Sequence, residues 1–231
     1  MKKRQVFGLV VAGLLAGFVS SAVAQSATAY SSTAVGVIKK TIPAGKSAFI
    51  SFPLDSPSSA THFYETPLMD LPVGSSASIW DATNNKWISS TRQARGGWGS
   101  FSNLVILDGQ PIFAQNKGSS DFVAIYSGEV PSDGSLKVAI PSAGNQTVAN
   151  PYPTPFTFGT SALASNLTVG SSVSVYDTQN GWVKQTKQAR GGWGTFASTN
   201  LVLAPGDGIW VSVAGTSSNY WTVTKPYSWP E

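Results

Sequence analysis

Beyond residue 34 the apolar positions recur every second residue in runs of about five to seven, and no helical period is sustained. SASIWD (residues 76–81) and SVSVYD (residues 172–177) set small or polar residues between apolar ones, the pattern of a half-buried strand. The turns ATNN (82–85) and TQNG (178–181) follow, then KWISSTR (86–92) and GWVKQTK (181–187), which predicts a hairpin in each place. Asn180-Gly181 is the stronger turn, since both residues accept positive φ. LVIL (104–107) and LVLA (201–204) lead through Gly-rich turns into PIFAQ (111–115) and IWVSV (209–213), and FVAIYS (122–127) and YWTVT (220–224) close the series. With GVIKKTI (36–42) and AFISF (48–52), roughly seven short strands are predicted in each half, the number of a small sandwich or barrel. Residues 56–69 and 151–164 read as long loops holding a helical turn.

The two series are copies. LPVGSSASIWD (71–81) returns as LTVGSSVSVYD (167–177), and NLVILDGQPIF (103–113) returns as NLVLAPGDGIW (200–210). QARGGWGSF (93–101) returns as QARGGWGTF (188–196), and Gly36, Ile38, Lys39, Ile42 and Pro43 return as Gly134, Leu136, Lys137, Ile140 and Pro141. The offset drifts between 95 and 98, with the drift falling in Asn/Gly/Pro-rich turns. The expected fold is therefore all-β, two tandem homologous β-sandwich/barrel-like repeats at residues 34–130 and 131–227. The link at 128–134 is short, so close pairing of the repeats is expected, as two domains or as one pseudo-symmetric body.

Lys2, Lys3 and Arg4 precede an apolar run from Val6 to Val19, and Ala22-Val23-Ala24 supplies small residues at a cleavage site. Residues 1–24 read as a signal peptide, whose apolar run is too short and wrongly flanked for a permanent span. Cleavage after Ala24 makes the protein exported: periplasmic, on the cell surface or extracellular. Removing the three basic residues of the leader leaves 12 Lys and Arg against 11 Asp and Glu, so the overall charge of +4 implies no acidic partner. Without a basic stripe there is no case for nucleic acid. No transmembrane segment is expected in the mature chain, and an outer-membrane barrel is set aside because the strands are too short for one. Cys is absent, so the core alone must stabilise the fold in an oxidising space.

The chemistry-bearing residues are few. His62 is the only histidine, which with no Cys rules out a zinc site of the usual kind; no metal and no cofactor are expected. A triad through His62 would lack a G-x-S-x-G elbow. The duplicated acid, Asp81 and Asp177, stands at the first position of a hairpin turn, where capping backbone N–H groups explains it. Asp108 and Asp207 lie in turns at non-equivalent register, and Glu65, Asp70 and Asp121 have no acidic counterparts. No catalytic residue is assigned. Asn145 and Asn166 head Asn-x-Thr sequons, which matter only in a glycosylating pathway.

The repeated RGGWG has two readings. In one, glycines open the backbone so that Trp98 and Trp193 present indole faces to a sugar, with Arg95 and Arg190 donating to its hydroxyls; two copies make a bivalent site. In the other, the segment is a corner of the fold used twice. Its tryptophans then pack inward against Trp87 and Trp182, with Arg over a ring as a cation–π lid. The structural reading is favoured, because a large aromatic beside glycines fills cores more often than it binds ligands. With I-P-A-G near the start, V-G-S-S before the W/Y-D strand, G-G-W-G and P-G-x-G-I-W, the chain resembles an uncharacterised family of secreted verrucomicrobial-type bacterial proteins with duplicated Gly/Trp-rich β repeats. Residues 108–113 (DGQPIF) depart from the last motif. The resemblance implies an envelope or extracellular address and brings no activity with it.

The function expected is a non-enzymatic structural or assembly role in the cell envelope or outside it. A bivalent carbohydrate-binding module, adhesin- or lectin-like, is the alternative; a glycoside hydrolase ranks third. Partners would be further copies or other envelope proteins, with a glycan as the alternative. GVIKKTI and YWTVT, at either end of a repeat, are the candidate exposed edges.

Overall fold

The computed structural model describes residues 34–56, 61–197 and 200–228, and the expected signal peptide lies outside them. The first half builds an antiparallel sheet from β2 (Ser47–Ile50), β7 (Ile112–Gln115), β4 (Ser76–Asp81) and β5 (Lys86–Thr91), in that order. Beside it stand a ribbon of β1 (Val35–Ile42) with β8 (Phe122–Glu129), and a small pair of β3 (Thr61–His62) with β6 (Val105–Ile106). The second half has the same order: β10 (Gly144–Ala149), β15 (Gly208–Val213), β12 (Ser172–Asp177) and β13 (Gly181–Thr186) in one sheet. Its ribbon joins β9 (Ser135–Ala139) to β16 (Tyr220–Thr224), and its small pair joins β11 (Phe156–Thr157) to β14 (Val202–Leu203). The chain is mostly β. No sheet closes into a barrel, which corrects that part of the expectation: β5 and β13 end their sheets with no neighbour beyond them.

Each half has one strand more than the sequence predicts. The additions, β3 and β11, lie in the stretches read as loops, which also hold 3-10 turns and a short helix, α1 (Ala162–Asn166). Two-residue strands carry no legible period, and they form because β6 and β14 offer free edges beside them. The predicted hairpins are present, β4 with β5 and β12 with β13. Asp81 accepts the Asn84 N–H at 3.1 Å, and Asp177 accepts those of Gln179 and Asn180 at 2.9 and 2.7 Å. These bonds hold both carboxylates below the ordinary range, led by the Asn84 side chain for Asp81 and the Asn180 backbone for Asp177.

Each sheet turns one face to its own core. In the first half Ala77, Ile79, Ile112 and Ala114 point inward onto Phe63, Leu68 and Phe101. In the second, Val173, Ile209 and Val211 meet Phe158, Leu163 and Phe196. The opposite faces carry aromatics, and the two sheets meet through them. Phe113 packs on Tyr176 and Trp182 at centroid distances of 5.2 and 5.6 Å. Trp210, its counterpart in the duplicated sequence, packs on Trp80 and Trp87 at 4.7 and 5.3 Å. The indole N–H of Trp80 crosses this seam to the Asn145 carbonyl at 2.7 Å.

Backbone bonds across the halves are reciprocal too: Ser51 N–H donates to Gly206 O, and Ala149 N–H to Gly109 O, both at 2.8 Å. An ion pair between Lys40 and Asp207 joins the halves beside the first of these. The stretch Ala34–Glu231 accordingly forms one compact unit. The link between halves is fastened along its length: Tyr227 donates to Pro131 O, Lys225 Nζ to Ser132 O, and Tyr152 to Asp133 O.

Gly208 and Pro111 occupy matching positions and touch each other. A Cβ on Gly208 would stand 2.5 Å from the Pro111 Cβ and 2.6 Å from its Cγ, and a proline ring cannot swing away. Gly208→Ala is expected to lower stability by about 1–3 kcal/mol in chemical denaturation. Pro111→Gly in the same chain should restore part of the loss; no loss at all in Gly208→Ala would show that the sheets do not meet there.

Candidate functional site

The two RGGWG corners fold alike. Gln93 N–H bonds to Gly97 O and Gln188 N–H to Gly192 O, each at 2.8 Å. Between them the chain reverses through positive φ at Gly96 (89°) and Gly97 (58°), and again at Gly191 (90°) and Gly192 (58°). Added Cβ atoms there would meet open space, so the glycines are required for their φ rather than for room. Arg95 and Arg190 stand at the exposed tips.

Both corner tryptophans turn inward. Trp98 is 3% exposed, edge-on to Phe63 at 5.1 Å, and donates its indole N–H to Met69 O at 3.2 Å. Trp193 is 5% exposed, edge-on to Phe158 at 4.9 Å, and donates to Ala164 O at 3.1 Å. Their partners are not the expected Trp87 and Trp182. Those two lie opposite Trp80 and Tyr176 across the hairpins, so they share the outward, seam-facing side. Nor is Arg190 the cation over the ring: that place belongs to Lys187, 5.7 Å from the Trp193 centroid. The Lys187 ammonium also donates to the Ala164 and Leu167 carbonyls at 2.9 and 2.7 Å, at the end of α1. Arg92 does the corresponding work in the first half, donating to Leu71 O.

The halves differ beside these corners. Next to Trp98 lies a cavity of about 160 Å³ lined by Ser89, Ser90, Ser100 and Phe101. In the second half the positions of Ser89 and Ser90 hold Lys184 and Gln185. Gln185 reaches toward Gly194, its Oε1 2.8 Å from where a Cβ there would stand. The corners are thus alike in backbone and unlike in the surface they offer.

His62 stacks on Tyr64 at 5.1 Å, with its Nδ1 3.6 Å from Glu65 Oε2. Glu65 closes the local turn by accepting the His62 N–H at 2.8 Å. Among the described residues no three His, Asp or Glu are gathered so as to hold a metal ion. The Asp55 carboxyl is pushed upward, first by burial and then by Asp108, Asp133 and Glu129 around it. No helix among the described residues is long and apolar enough to cross a membrane.

Burial raises the phenols of Tyr126, Tyr152 and Tyr227, the last to about 12. A raised phenol favours the folded chain while it stays neutral. Its contribution is complete below the unfolded value of about 10 and is lost as pH climbs from there through about 12. Unfolding free energy should therefore fall over that window, and Tyr227→Phe should flatten the fall. A slope unchanged in the variant would remove Tyr227 as its source.

The remaining feature is an edge. Val130 N–H bonds to Ala34 O, which fixes the phase of the β1–β8 ladder: the even-numbered residues of β1 bond to β8. The N–H and C=O groups of Val35, Val37, Lys39 and Thr41 point the other way, and no partner meets them among the described residues. Along this edge runs a groove of about 580 Å³, closed on its far side by Pro153, Thr154, Ala204, Pro205 and Tyr227. Val35, Val37 and Ile125 are exposed on the adjoining face of the ribbon. GVIKKTI and YWTVT both sit in two-stranded ribbons, as β1 and β16.

Sequence reasoning missed the seam. Its signal was present as doublets of large apolar residues, Ile79-Trp80, Ile112-Phe113 and Ile209-Trp210, which put apolar side chains on both faces of a strand. Comparison of the chain with family models, curated proteins and solved structures finds no match.

Proposed function

We propose that the chain is an exported, non-enzymatic protein of the cell envelope or extracellular space with a structural or assembly role. Its body is two homologous β-sandwich-like repeats, residues 34–130 and 131–227, joined about a pseudo-twofold axis at the aromatic seam. The observation that carries this reading is the open β1 edge beside its groove. An unpaired row of N–H and C=O groups invites another strand, and chains that are only meant to stay apart blunt such edges. Burial of Trp98 and Trp193 weighs against the glycan alternative, since it withdraws the stacking faces that alternative needs. The address rests on the leader pattern of residues 1–24.

Expression of the whole chain with its own leader, followed by fractionation, N-terminal mass spectrometry and cross-linking in intact cells, tests the reading. The expected result is a protein beginning at Gln25, outside the cytoplasm, in cross-linked species larger than one chain. A chain retained in the cytoplasm with its leader attached, or one that never cross-links beyond a monomer, would overturn it.

A further inference from the structure

The two ribbons are copies in sequence, yet their outer edges differ. At the β9 edge the Gln146 side chain turns over to donate to Ala139 O at 3.4 Å. The matching position in the first half is Ala48, which offers no such group to Thr41. The walls differ as well. Pro153, Ala204 and Pro205 beside β1 correspond to Asp55, Leu107 and Asp108 in the first half, and Val35 itself corresponds to Asp133. Asp108 and Asp133 lie close enough to Asp55 to push its carboxyl upward, after burial. The duplicated edge is thus acidic and partly covered, while the β1 edge is open and proline-walled, its lining charges being Lys40, paired with Asp207, and Lys39. Such a groove suits an extended peptide held by main-chain bonds.

The segment that fits this description is the one preceding β1. Residues 25–33 (QSATAYSST) carry no charge and have one large side chain, Tyr30, able to serve as an apolar anchor. Fully extended they reach about 30 Å, enough to run the length of the eight-residue β1. A two-residue reversal onto their own β1 would favour Gly, Asn or Asp at positive φ, and residues 31–34 are Ser, Ser, Thr and Ala.

We infer that the groove beside β1 receives residues 25–33 of a second copy of the chain as an added β-strand. Each copy then gives one strand and takes one, a head-to-tail contact that builds linear assemblies wherever its rotation does not close a ring. This inference rests on the export and assembly reading above, because cleavage after Ala24 frees the segment.

The test uses the mature chain and two variants. Val37→Pro removes an N–H that points into the groove and leaves the β8 ladder intact, so it blocks the acceptor and keeps the donor. Deletion of residues 25–33 removes the donor and keeps the acceptor. By sedimentation the mature chain should form a concentration-dependent series, and each variant alone should be monomeric, with its dissociation constant raised about a hundredfold or more. Mixed, the two variants should form a one-to-one dimer that grows no further. Ala204→Trp, which fills the groove from its far wall, should block acceptance without touching β1 and stands in should Val37→Pro fail to fold. If the mature chain assembles and the variants assemble equally well, strand donation is wrong while the assembly reading survives. If the correctly cleaved mature chain stays monomeric, both fall.

Discussion

Trp80→Ala is expected to lower the free energy of unfolding by about 3–5 kcal/mol, the cost of removing a buried indole that its surroundings cannot fill. Trp80 is 6% exposed, meets Trp210 edge-on at 4.7 Å and Trp87 at 5.4 Å, and gives its N–H to Asn145 across the seam. Truncation would strand that carbonyl and open a hole between the sheets. Trp80→Phe keeps most of the volume and loses the hydrogen bond, so about 1 kcal/mol or somewhat more should go. Pairing Trp80→Ala with Trp210→Ala makes the seam itself measurable. Because the rings touch, the double variant should lose less than the sum of the singles, with a coupling of about 0.5–3 kcal/mol. Strict additivity would mean that the two sheets do not share this contact.

The second large effect belongs to the corners. Trp98→Ala and Trp193→Ala should each cost about 3–5 kcal/mol, because each indole fills the core of its own half and donates to a backbone carbonyl; Met69 O loses this partner, while Ala164 O keeps Lys187. Arg95→Ala and Arg190→Ala should change stability by less than about 0.5 kcal/mol, as exposed tips do. Thermal melting and a pull-down on insoluble polysaccharides decide together. A tryptophan variant that melts like wild type but loses polysaccharide binding would restore the sugar reading of RGGWG. Loss of melting temperature without any binding to lose would leave the segment as a corner of the fold.

Glycine makes that corner possible, and it explains why the pentapeptide is spelled the same way twice. The reversal between Gln93 and Gly97 runs through two successive positive φ values, and Gly99 adds a third at 58°. Any other residue would strain each of them. Trp is fixed for a different reason, since only an indole spans from the corner to the Met69 or Ala164 carbonyl while packing on Phe63 or Phe158.

The sequence by itself determined the period-two pattern, the hairpins with their Asp-capped turns, the matching of the two halves and the absence of Cys chemistry. All of these are local or repetitive, so neighbouring residues suffice to specify them. It could not say that Trp87 and Trp182 face the seam while Trp98 and Trp193 face the cores. Only the pairing of β4 with β5 and of β12 with β13 assigns those faces, and strand register is a long-range property. Nor could it say which edge stays open. GVIKKTI (36–42) and its copy GSLKVAI (134–140) look alike as edges in sequence, but partners far along the chain decide the outcome: Gln146 reaches over the β9 edge, and Ala48 leaves β1 bare. Only tertiary structure could decide these points, because each depends on which distant side chain arrives at a given backbone group, and a local pattern carries no record of that.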